Sequence, residues 1–72
     1  MEINMNNNIK KLRKEKNISQ ENLAKKVGIS RTYLSKIENG HSNPSTEITY
    51  RIANELNKSI EDIFFKKFVN HN

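Results

Sequence analysis

The chain has 72 residues, a length that fits one small domain and leaves no room for a second. It contains no cysteine, which excludes disulfides, thiolate metal ligation and thiol nucleophiles. No apolar run approaches the roughly 18 residues that span a bilayer, and no signal-peptide pattern opens the chain, so a cytoplasmic protein is expected. The net charge of +5 is placed unevenly. Residues 1–44 hold nine Lys/Arg against four Glu, whereas residues 45–72 hold four of each sign. Two readings stand for the basic half: a surface that meets a polyanion, or a merely lysine-rich face.

Apolar residues recur at helical rather than strand spacing throughout. Ile9 and Leu12, followed by the aliphatic stem of Lys16, predict a first helix over about 8–16. Asn7 or Asn8 can cap it, although the asparagine-rich opening at residues 4–8 is expected to fray. Ser19 stands where its oxygen accepts from the free amides of a second helix over about 20–27, with a stripe of Leu23, Ala24 and Val27. Gly28 suits the left-handed residue that closes that helix. Ser30 then opens a third helix over about 31–39, carrying Leu34 and Ile37. Ile18 and Ile29 each precede a leucine by five residues, the spacing of a hydrophobic staple. Ser45 opens a fourth helix over about 46–56 (Ile48, Ile52, Ala53, Leu56), and Ser59 a fifth over about 60–68 (Ile60, Ile63, Phe64, Phe68). The fold class is all-α, a compact five-helix domain.

The second and third helices are separated by so short a turn that they must cross at a wide angle. Ala24 falls at the crossing, where a larger side chain pushes the helices apart. Leu23, Val27, Ile29, Leu34 and Ile37 fill the space beneath. A small residue, glycine four later, and apolar residues six and nine after the glycine are the constraints of a helix-turn-helix. Here they are Ala24, Gly28, Leu34 and Ile37.

The segments L-R-x-x-K-x-I-S-Q-E-x-L-A at 12–24, V-G-I-S-R-T-Y-L-S-K-I-E-N-G at 27–40 and P-S at 44–45 resemble the phage-repressor class of helix-turn-helix proteins, of Cro and repressor (XRE) type. The likeness covers about residues 9–64 and implies a lambda-repressor-like DNA-binding domain. Docked as in that class, helix 31–39 enters the major groove. With Leu34 and Ile37 turned inward, Arg31, Thr32, Ser35 and Lys36 form the groove face. Arg31 can donate two hydrogen bonds to guanine O6 and N7, Thr32 can meet a thymine methyl, and Lys36 can reach guanine or a phosphate. The resemblance places Gln20, Ser30, Asn39 and Asn43 at phosphate-contacting positions, with support from Lys25, Lys26 and Lys36. Tyr33 either bonds a phosphate through its hydroxyl or packs in the core. Arg13 and Glu38 match an ion pair that ties the third helix to the first, a structural role.

The C-terminal region carries Phe64, Phe65, Phe68 and Val69 within six residues. One face of a terminal helix in so small a domain cannot enclose them all. The resemblance implies a homodimer interface here, with two groove helices one DNA turn apart. Packing on the first helix and shallow membrane contact are the alternatives, and no long amphipathic face supports the membrane reading.

Enzymatic chemistry finds no footing. His41 and His71 lack carboxylate neighbours in sequence, and Glu61 and Asp62 point about 100° apart on a helix. There is no phosphate loop, no nucleophile with a base, no metal-ligand spacing, and no evident cofactor or small-molecule effector site. The sequence therefore predicts a dimeric, sequence-specific regulator of transcription that binds double-stranded DNA, a repressor or controller protein. R-T-Y at 31–33 resembles the controller proteins of restriction–modification systems. The rival reading is an antitoxin or interaction module whose Phe-rich end binds a protein partner.

Overall fold

The computed structural model describes residues 7–64. Within them the chain forms α1 (Ile9–Glu15), α2 (Gln20–Val27), α3 (Arg31–Glu38), α4 (Thr46–Leu56) and α5 (Ile60–Phe64). No helix among the described residues is long and apolar enough to cross a membrane. The fifth helix was expected to reach residue 68, but residues 65–68 lie outside the described range.

Helix starts are set by serine. The hydroxyl oxygens of Ser19, Ser30, Ser45 and Ser59 accept from the backbone amides of Asn22, Tyr33, Ile48 and Asp62, at 3.0–3.1 Å. Each satisfies one first-turn donor that has no partner inside the helix. Helix ends are set by a left-handed residue: Asn17 (φ 59), Gly28 (φ 88), Gly40 (φ 79) and Asn57 (φ 58). At each, the next residue's amide bonds back five positions: Ile18 to Arg13, Ile29 to Ala24, His41 to Lys36, and Lys58 to Ala53. This is the Schellman closure, and it turns the chain sharply at every junction from α1 to α5. Two of the four connectors, 28–30 and 57–59, are then only three residues long: a left-handed residue, one intervening residue and the serine cap; the connector from α1 to α2 places Lys16 ahead of the same three.

The expectation that residues 4–8 fray is overturned at Asn7 and Asn8. Asn7 Nδ2 donates to the Ile37 carbonyl at 2.9 Å, while its Oδ1 accepts from the Ile9 amide. Asn8 uses its backbone amide on the Ile63 carbonyl and its Nδ2 on the Asp62 carbonyl, both at 2.8 Å. Asn8 therefore does not cap α1 with its side chain, whereas Asn7 satisfies the first helical amide, that of Ile9; the pair also ties the start of α1 to the end of α3 and to α5. The Lys16 expectation also fails. Lys16 is exposed, because the helix closes there and Asn17 redirects the chain. Ile18 packs on the core in its place.

The core comprises Ile9, Leu12, Leu23, Ala24, Val27, Leu34, Ile37, Ile52, Ala53, Leu56 and Ile63, flanked by half-buried Ile18, Ile29, Tyr33, Ile48, Ile60 and Phe64. It draws on every helix. α2 packs on α3 and α4, α1 on α2 and α5, and α4 on α5. Leu34 is fully enclosed, so truncating it to alanine would cost about 2–5 kcal/mol and loosen the seat of α3. Arg51 of α4 adds a polar link: its Nη1 donates to the Val27 carbonyl at 3.1 Å and its Nη2 pairs with Glu47 at 2.6 Å. A cation on the last carbonyls of α2 is favourably placed against the helix dipole.

Candidate nucleic-acid interface

The turn from Gly28 to Ser30 fixes how α3 stands against α2. Leu34 and Ile37 face the core and leave the opposite side of α3 to solvent. On that side Arg31, Thr32 and Lys36 are exposed and Ser35 is half-buried. Together with Gln20 from the first turn of α2, these residues line one open depression of about 360 Å³. The four residues expected to read bases thus lie on a single face, and one of the expected phosphate-contacting residues joins them.

The other expected contacts scatter around it. Ser30 is exposed, but its oxygen is committed to the Tyr33 amide as the α3 cap. Tyr33 is half-buried against the core, which favours the packing role that its sequence left open. Asn39 and Asn43 are exposed beyond the end of α3, outside the depression. Phe64 packs half-buried on its own core, while Phe65, Phe68 and Val69 lie outside the described residues.

Beneath the face runs a chain of polar contacts. Arg13 Nε and Nη2 donate to Glu38 Oε2 (2.8 Å) and Oε1 (3.2 Å), and Arg13 Nη1 donates to the Ile18 carbonyl at 3.1 Å. The side chains are 8% and 2% exposed, so the ion pair is interior. Gln20 Nε2 donates to Glu38 Oε1 at 3.1 Å, and Gln20 Oε1 accepts from Arg31 Nε at 3.2 Å. Gln20 was read from the sequence as a phosphate-contacting residue only. Its bonds to residues 11 and 18 positions away carry no local sequence signal. Arg51 was missed as well, although Glu47 four residues earlier marks it as a helix-surface pair.

The profile of the helix-turn-helix family matches residues 9–63. The chain belongs to this helix-turn-helix family, of XRE type. An HTH-type transcriptional regulator of Archaeoglobus fulgidus is 45% identical over 60 residues, covering 83% of this chain and 84% of that one. Control protein C.MunI of a Mycoplasma species is 40% identical over 65 residues, covering 89% and 88%. The crystal structure of SinR, the master regulator for biofilm formation, in complex with DNA superposes with a TM-score of 0.68 at 39% identity, over 74% of this chain and 86% of that chain. Helix-turn-helix proteins of this type are non-enzymatic, DNA-binding regulators of transcription.

Proposed function

We propose that this helix-turn-helix regulator acts in the cytoplasm as a homodimer on a two-fold symmetric DNA operator, with α3 of each copy in the major groove. The observation that carries the reading is the convergence of Arg31, Thr32, Ser35 and Lys36 on one solvent-facing side of α3, beside Gln20. Arg31 and Lys36 supply donors for guanine or phosphate, and Thr32 and Ser35 supply short groups that suit either a base edge or a thymine methyl. The likeness to SinR, whose structure was solved in complex with DNA, supports DNA as the partner.

Geometry also favours two copies. The eight residues of α3 extend about 12 Å at 1.5 Å per residue. That covers only about three to four base pairs at 3.4 Å each, too few to define a unique site. Two such helices, on half-sites about 10 base pairs apart, read twice as many positions in a fixed register. The Phe-rich sequence Phe64, Phe65, Phe68 and Val69 is assigned to the pairing of the two copies; of these, Phe64 is half-buried on its own core. Ser30, Asn39 and Asn43 are assigned to the phosphate backbone at the margins of α3. The likeness to C.MunI favours a controller or repressor role.

The test is selection of bound duplexes from a random pool at near-physiological salt. Enrichment of a two-fold site with half-sites about 10 base pairs apart is the expected result. A pool that stays unenriched and binds only at low salt would reduce the basic half to nonspecific attraction and overturn the reading.

A further inference from the structure

We propose that Gln20 and the interior carboxylate of Glu38 together position Arg31, so that Glu38 helps set base specificity without itself touching DNA. This rests on α3 being the base-reading helix. The Gln20 amide has two unlike ends, a donor and an acceptor. Nε2 faces Glu38 Oε1 and Oε1 faces Arg31 Nε. Rotating the amide by half a turn would set its oxygen against a carboxylate oxygen and its NH2 against a guanidinium N–H. Both hydrogen bonds would then be replaced by contacts between like poles.

The carboxylate itself cannot turn away. Both oxygens of Glu38 accept from Arg13, whose remaining Nη1 is held by the Ile18 carbonyl, and the Glu38 side chain is 2% exposed. Donation therefore converges on Glu38, from Arg13 on one side and from Arg31 through Gln20 on the other. The last link occupies Nε of Arg31 and leaves both terminal nitrogens unassigned by it. Those two groups are the pair that approaches guanine O6 and N7 end-on. The link also sets an acceptor beside a cation in the first turn of α3, where the helix dipole alone disfavours positive charge.

The experiment compares competitive binding to duplexes carrying each of the four bases at every half-site position, for the wild-type protein, Gln20→Leu and Glu38→Gln. Where Glu38→Gln alone fails to fold, Arg13→Met combined with Glu38→Leu removes the acceptor and leaves no buried charge unpaired. At the one position whose preference Arg31→Ala abolishes, guanine preference should fall by about tenfold in each variant, with preferences elsewhere retained. Adding Gln20→Leu to Arg31→Ala should change the base profile no further. A loss equal for all bases at all positions in Gln20→Leu would make Gln20 a phosphate contact only and overturn the proposal. So would an unchanged guanine preference in the folded Glu38 variants. Absence of any base preference in the wild-type protein would instead overturn the reading of α3 itself.

Discussion

Removing one partner of the Arg13–Glu38 pair should cost far more than removing both. With side chains 8% and 2% exposed, neither group can recover its lost partner's place with water. Arg13→Met leaves Glu38 charged and interior with Gln20 as its remaining donor. Glu38→Leu leaves a guanidinium whose other acceptor is the Ile18 carbonyl. Each single change should cost about 3–5 kcal/mol, the range for an interior charge left uncompensated. The whole domain is held by about 4–11 kcal/mol at 0.05–0.15 kcal/mol per residue, so either variant sits near the edge of folding. The double variant exchanges two charged groups for two apolar ones of similar reach and should lie within about 1 kcal/mol of wild type. Urea unfolding followed by far-UV circular dichroism measures this directly. At a slope near 1 kcal/mol per molar, the single variants should lose about 3–5 M from the midpoint and the double variant about 1 M or less. Single costs below about 1 kcal/mol, or costs that simply add in the double variant, would refute an interior, mutually dependent pair.

Three further changes probe the helix ends and the reading face. Ser30→Ala should lower stability by about 1 kcal/mol by removing the acceptor for the Tyr33 amide, measured by the urea midpoint against Ser30→Thr, which keeps it. Gly28→Ala should cost about 1–2 kcal/mol, since φ is +88° and the added Cβ would lie 3.2 Å from Arg51 Nη1; thermal melting checks it, and an unchanged melting point would show that the turn does not require glycine. Arg31→Ala should weaken cognate DNA by about 1–3 kcal/mol and relax preference at one position per half-site. Equal loss on specific and random duplex in a titration would remove Arg31 from the base readers.

Local chemistry made much of this fold legible. Each of the four serine caps has the hydroxyl bond its position suggested, and Gly28 adopts the left-handed conformation that closing α2 requires. Asn17 and Asn57 were harder, because an asparagine is equally at home as a cap, in a turn or in a left-handed helix end. Missing Asn17 is what misassigned Lys16 to the core. The inward and outward faces of α3 followed from Leu34 and Ile37 alone, and so did the grouping of Arg31, Thr32, Ser35 and Lys36. What sequence spacing could not supply were contacts across distant segments: Asn7 on Ile37, Arg51 on Val27, and Gln20 between Glu38 and Arg31. These depend on how helices cross, and a polar side chain of ordinary exposed type gives no advance sign of its distant partner. The Arg13–Glu38 pairing was available only through resemblance, since 25 residues separate the two.

The bonds from Asn8 to Ile63 and Asp62 bring together stretches of backbone at opposite ends of the described chain, 54 and 55 residues apart. Hydrogen bonds thus close the described part of the chain into a ring. Joining the chain across that gap with a short linker would restrict the unfolded ensemble while asking little of the folded one. For a closed loop of this size the entropic gain approaches about 4 kcal/mol. A circular chain with new ends opened at the exposed His41–Asn43 loop should keep all five helices. The order in which the helices are strung would then matter less to this domain than the neighbours each one meets.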